Sequence, residues 1–187
     1  MEADRVHHEG KRSVKAPKLS DLNERELSAE DIEKLAASFD EESDRGLALI
    51  GAAFAETGLE WAIYRRMPGL GETIGKKTFS GDKAPLGTFS SKIIMGRAMG
   101  IYGEETERLL NCLRQIRNQF AHRLIPIDFS TPEVAKACNG LLIPGGLKPL
   151  SKLDSPRMRY RLAANYLYLA LMKNAYQQSA TFEIDLS

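Results

Sequence analysis

Arg117, Asn118 and His122 are the residues of this chain whose types and spacing promise chemistry. An arginine grips phosphate oxygens through two parallel N–H bonds, and a histidine exchanges protons near neutral pH. His122 is also the one histidine beyond the N-terminal segment that holds His7 and His8. At about 100° per helical residue, Asn111, Gln115, Asn118 and His122 gather on one side, flanked by Arg114 and Arg117. Leu109, Leu113, Ile116 and Phe120 gather opposite, as a stripe that should face a core. Asn118 and His122 then sit one turn apart, close enough to share a bound group. A face of this kind suits a phosphate. Paired with its own copy across a two-fold axis, it would line one cleft with Arg, Asn and His from both chains. The plain alternative is that Asn118 and His122 bond nearby backbone and Arg117 sits in a salt bridge.

The elements that must hold this face are helical. Leu47, Ile50, Phe54, Trp61 and Tyr64 recur at helical spacing and predict a first long helix over about 40–67, ended by Pro68 and Gly69. Gly51, Ala55, Gly58 and Ala62 fall along one side of it, a small-residue strip that lets another helix backbone come very close. Residues 68–87 read as a loop. A second helix is expected over 88–102, capped by Thr88 or Ser90, and Gly103 separates it from the helix of the polar face, over 104–124. The run Asp128-Phe129-Ser130-Thr131-Pro132-Glu133 reads as a cap with proline at the first helical position, opening a short helix to about 142. Ser155-Pro156 opens a last helix carrying Met158, Leu162, Tyr166, Leu169 and Met172. No strand pattern or internal repeat emerges. The fold class expected is all-α, a single multi-helix bundle. Residues 1–27 should form a disordered polar and basic arm with an acidic linker, 28–182 the helical domain, and 183–187 a tail. A short helix capped by Ser28 should carry Ile32, Leu35 and Phe39.

Composition bounds the function. The chain has 187 residues, 43% hydrophobic and 27% charged, which fits one globular domain and excludes collagen, fibre and wholly disordered classes. Lys plus Arg number 26 against 25 Asp plus Glu, so a general nucleic-acid coat is excluded and any binding must use a local patch. Two cysteines, Cys112 and Cys138, make no disulfide framework and suit a reducing compartment. No metal-ligand spacing and no cofactor loop is present, so neither a metal nor a cofactor is expected. The opening residues carry no apolar run like a signal peptide, and the longest charge-free apolar stretch, Gly46 to Ala55, is about half what a bilayer requires. A cytoplasmic protein without membrane attachment is the expectation.

The string Arg117-Asn118-Gln119-Phe120-Ala121-His122 resembles the R-x4-H signature of HEPN domains, small helical bundles that are commonly dimers. That resemblance implies either metal-independent RNA cleavage by the motif Arg and His at a dimer cleft, or binding of RNA or partners alone. A longer resemblance covers about residues 39–143. Glu42-Ser43-Asp44-Arg45-Gly46, Ala84-Pro85-Leu86-Gly87-Thr88-Phe89-Ser90-Ser91-Lys92 and Ile116 to His122 occur in the order and spacing of the mannitol operon repressor (MltR-like) family. It implies an all-helical protein tied to transcriptional regulation, without an obvious DNA-reading motif. From the sequence as a whole, a homodimer with RNA or a regulatory protein as partner is expected.

The matching segments nominate further residues. Glu42, Asp44 and Arg45 open the first long helix, where acids suit the helix dipole, or where Asp44 or Glu42 pairs with Arg117 and fixes its guanidinium. Thr88 ends a turn that is either an ordinary cap or an anion site, with Lys92 and Arg97 on the helix behind it. Arg114 flanks the polar face. Arg157 and Arg161 share a face at the start of the last helix, either solvated or in contact with phosphate. A helix-turn-helix over 91–113 is rejected, because its second helix would begin with Glu104, Glu105 and Glu107, which repel a duplex.

Overall fold

The computed structural model describes residues 34, 37, 39, 41–81, 83–141 and 155–177. From residue 37 onward these belong to one compact unit, Ala36–Ser187. Of the unit Met1–Leu35 only Lys34 is described, in helical conformation. The expected arm, its boundary at residue 28 and the tail therefore lie outside the described residues, as does most of the helix expected after Ser28. The described residues form six helices and no strand. They are α1 (Asp44–Tyr64), α2 (Glu72–Phe79), α3 (Phe89–Ala98), α4 (Glu104–His122), α5 (Pro132–Asn139) and α6 (Pro156–Gln177).

α1 is the central element, and its sequence dictates its neighbours. The small-residue strip receives α6 at close range. A Cβ built on Gly58 would lie 3.2 Å from the Cα and carbonyl oxygen of Tyr168, and one on Gly51 would meet the Tyr160 ring at 3.0 Å. Only glycine allows so near a backbone. Phe54 stacks on Tyr168 with centroids 3.7 Å apart, and the Tyr160 hydroxyl donates to the Ala48 carbonyl at 2.7 Å. Aromatic rings then tie the far side together: Phe120 of α4 meets Phe129 at 5.0 Å, and Phe129 meets Tyr160 of α6 at 5.2 Å.

Helix boundaries follow the caps. α1 starts at Asp44, because the Ser43 hydroxyl accepts from the Gly46 amide at 3.0 Å. It stops at Tyr64, short of the expected 67, and turns follow. α3 ends at Ala98 where the pattern suggested 102, and Gly100 takes the left-handed conformation at φ 65°. α5 ends at Asn139. The segment expected as a loop contains α2, held by Gly75 against the Tyr64 ring and by Phe79 packed near it.

α1 is also long and apolar enough to cross a membrane by length and composition, although 56% of its most apolar window is buried inside the protein. Counting only the charge-free run Gly46 to Ala55 missed this, because the full helix carries just two Glu, Glu56 and Glu60, in its second half.

Candidate functional site

α4 divides as its sequence pattern requires. Thr106, Leu109, Leu110, Leu113, Ile116 and Phe120 are buried. Its opposite side is polar and falls into two halves. In the first half the side chains satisfy one another: Asn111 donates to the Glu107 carbonyl at 3.2 Å, and Arg114 donates twice to Asn111 Oδ1 at 3.3 Å. Arg114 is thus bonded along its own helix.

In the second half the polar groups remain available. Arg117 keeps 30% of its side chain exposed, Asn118 is half-buried and His122 is exposed. None of these three side chains is hydrogen-bonded to a described residue. Among the described residues Arg117 has one charged neighbour, Glu56 of α1, with Nη2 to Oε2 at 3.9 Å, too long for a hydrogen bond. Other arginines are used differently. Arg108 donates to the Gly140 carbonyl at 2.9 Å, Arg66 to Asn174 Oδ1 at 2.7 Å, and Arg45 to the Arg123 carbonyl at 2.6 Å.

Beneath Arg117 lies a charge cluster that the sequence reading did not anticipate. Lys92 of α3 has only 6% of its side chain exposed, and its Nζ donates to Glu56 Oε1 at 2.8 Å and meets Glu60 Oε2 at 2.7 Å. Burial alone would lower the Lys92 pKa; Glu56 and Glu60 outweigh it and hold the ammonium above its ordinary range. Lys92 is therefore an internal counter-ion and not an anion contact on the surface. One signal was present in the sequence: Glu56 and Glu60 are four residues apart on an otherwise apolar helix, so both carboxylates share a face and need cations there.

Asp44 and Glu42 do not reach Arg117. The Asp44 carboxylate pairs with Arg157 through Oδ1 and accepts from the Phe129 amide at 2.9 Å. Arg157 also donates to the carbonyls of Phe39 at 3.1 Å and Glu42 at 2.6 Å, so it clamps the start of α6 to the start of α1. Both of its terminal nitrogens are taken by protein acceptors, so it serves as a structural clamp rather than as an unoccupied anion contact. The clamp also answers why a cation stands at the start of α6, against the helix dipole. Arg45 does reach the site helix, where it caps the C-terminal end through the Arg123 carbonyl. Thr88 forms a capping box with Ser91, so its turn is the ordinary helix start. Arg97 pairs with Glu107 at 3.4 Å and fastens α3 to α4. Arg161 is half-buried on α6, away from the cluster at Lys92 in sequence and on a different helix.

Residues 99–103 join α3 to α4, and the first turn of α4 carries Glu104, Glu105 and Glu107. Among the described residues no three His, Cys, Asp or Glu side chains converge so as to hold a metal ion. Set against family models, curated proteins and solved structures, the chain matches none of them.

Proposed function

We propose that this chain is a transcription-linked regulator of the mannitol operon repressor type, and that it works by holding RNA phosphate groups on the Arg117–Asn118–His122 face of α4. The observation that carries this reading is the state of Arg117. Its guanidinium is half-exposed, has a single distant carboxylate behind it and no hydrogen-bond acceptor among the described residues. Such a group is ready to bind a phosphate bidentately. Asn118 beside it offers a further donor. Duplex DNA is the weaker fit, because the three glutamates at the start of α4 stand where a reading helix would meet the backbone.

The second reading is metal-independent RNA cleavage, and the exposure of His122 one turn from Asn118 favours it. His122 would take the proton of a ribose 2′-hydroxyl, whose oxygen attacks the adjacent phosphorus. The 5′-oxygen leaves, taking its proton from the protonated second His122 of the dimer, and a cyclic phosphate remains. Arg117 would stabilise the charge that gathers on the phosphorus oxygens. In both readings the working form is a homodimer that brings two such faces together.

Labelled single-stranded RNA incubated in EDTA with wild type, Arg117→Ala and His122→Ala tests both. Wild type is expected to bind, and Arg117→Ala to bind about tenfold more weakly, the worth of a charge-assisted hydrogen bond. Binding without cleavage supports the regulator. Cleavage by wild type to cyclic phosphate ends, absent in His122→Ala, supports the ribonuclease. RNA that neither binds nor breaks refutes both.

A further inference from the structure

Charge counting around Lys92 leads one step beyond the site itself. Lys92 faces two carboxylates, Glu56 and Glu60, so these three groups carry a net charge of −1. Arg117 brings the cluster to zero through Glu56 Oε2 at 3.9 Å. Glu56 is only 22% exposed, so water screens it poorly. An anion arriving at Arg117 therefore meets a guanidinium whose charge is already partly matched from behind. At 3.9 Å, with no hydrogen bond between them, Glu56 does not orient the guanidinium. What it supplies is opposing charge.

We infer that Glu56 sets the anion affinity of Arg117, holding the site below the strength its arginine alone would give and so restricting it to ligands that present several phosphates. This deepens the reading that Arg117 receives RNA phosphate, and rests on it. Lys92 is the device that holds Glu56 in place, because its ammonium bonds Oε1 and leaves Oε2 toward Arg117. Glu60 shares the same lysine but has no contact with Arg117, which makes it the matched control.

The test measures affinity for a short labelled single-stranded RNA with wild type, Glu56→Gln, Glu60→Gln and Arg117→Ala, each checked by thermal melting. Glutamine at 56 keeps an oxygen for Lys92. A phosphate on the outer edge of the guanidinium lies roughly 8 Å from Glu56 and in solvent, where an effective dielectric of about 45–80 lets one unit charge change affinity about two- to fivefold. Glu56→Gln is therefore expected to bind RNA about two- to fivefold more tightly, with a steeper dependence on salt, while Glu60→Gln stays within about twofold of wild type. Damage to the fold would lower affinity or leave it alone, so a gain separates the charge effect from a structural one. Should Arg117→Ala bind as wild type does, the RNA reading of the site fails. Should Arg117→Ala weaken binding while Glu56→Gln equals or falls below wild type, the inference alone is overturned.

Discussion

Replacing Lys92 by methionine should destabilise the protein, and by an amount that depends on pH in a defined direction. Methionine fills similar volume without charge, so the change isolates electrostatics. Lys92 Nζ stands 2.8 Å from Glu56 and 2.7 Å from Glu60, so the two carboxylate oxygens it bridges are no more than about 5.5 Å apart. Without the ammonium they face each other directly. At an effective dielectric near 20, two like charges at that distance repel by about 3 kcal/mol. Glu56 is 22% and Glu60 38% exposed, so solvent screens part of this, and about 2 kcal/mol is the expected loss at neutral pH. The pH dependence comes from Lys92 in wild type. Its pKa is held above the ordinary lysine value of 10.5. The stability it supplies is whole below that value and is lost as pH rises through the higher folded one. Urea unfolding of wild type and Lys92→Met, followed by circular dichroism at neutral and at strongly alkaline pH, reads both the deficit and its shrinkage as Lys92 is neutralised. A Lys92→Met protein as stable as wild type at neutral pH would mean that desolvating three charges costs as much as their pairing returns, and would refute the reasoning.

Gly58→Ala should lower stability by about 1–3 kcal/mol, because the new methyl meets the Tyr168 backbone at 3.2 Å and α6 must move off α1; a thermal melt checks it. The thiols should be slow to react in the folded protein. Burial pushes Cys138 up to about 12 and Cys112 upward as well, so little thiolate exists near neutral pH. Labelling by an aromatic disulfide reagent should be slow for both until urea is added, and fast modification of native Cys138 would contradict the packing of α5 on α6.

The site helix was legible because its chemistry is written in one element. The stripe Leu109, Leu113, Ile116 and Phe120 is buried, and the opposite line stays polar. The small-residue strip of α1 was equally legible, since Gly51 and Gly58 can only mean close approach. The approaching helix, α6, was misread in its facing: the expected positions Met158, Leu162, Tyr166, Leu169 and Met172 are not its buried ones, and Tyr160, Ala163, Ala164, Leu167, Tyr168 and Leu171 turn inward while Leu169 is exposed. α2 was hidden by Gly71, Gly75 and two lysines, which read as loop until Gly75 packs on Tyr64 and Lys76 pairs with Glu72 at 3.2 Å. The partner of Arg117 was misplaced for a geometric reason. Arg45 reaches the Arg123 carbonyl and Glu56 lies beside Arg117, so α1 and α4 run antiparallel. Asp44 is then twelve residues, about 18 Å, along α1 from the level of Arg117. A carboxylate at the helix start could not have served it, and one three turns onward could.

The same geometry explains why α1 holds two acids within an apolar helix. By length and composition it could cross a membrane. Within the bundle, Glu56 and Glu60 meet Lys92 from α3, and Glu56 meets Arg117 from α4, so each carboxylate has a cation delivered by a separate helix. A lone carboxylate in hydrocarbon would cost several kcal/mol, and a buried one without a partner would protonate. In this bundle the cations of α3 and α4 face both carboxylates of α1. They also constrain register, because sliding α3 by one turn along α1, about 5.4 Å, would leave Lys92 within reach of at most one of the two carboxylates it now bridges. The charge cluster thus holds α3 and α1 in alignment, and it sets Arg117 at the bundle surface with its outward donors free for a ligand.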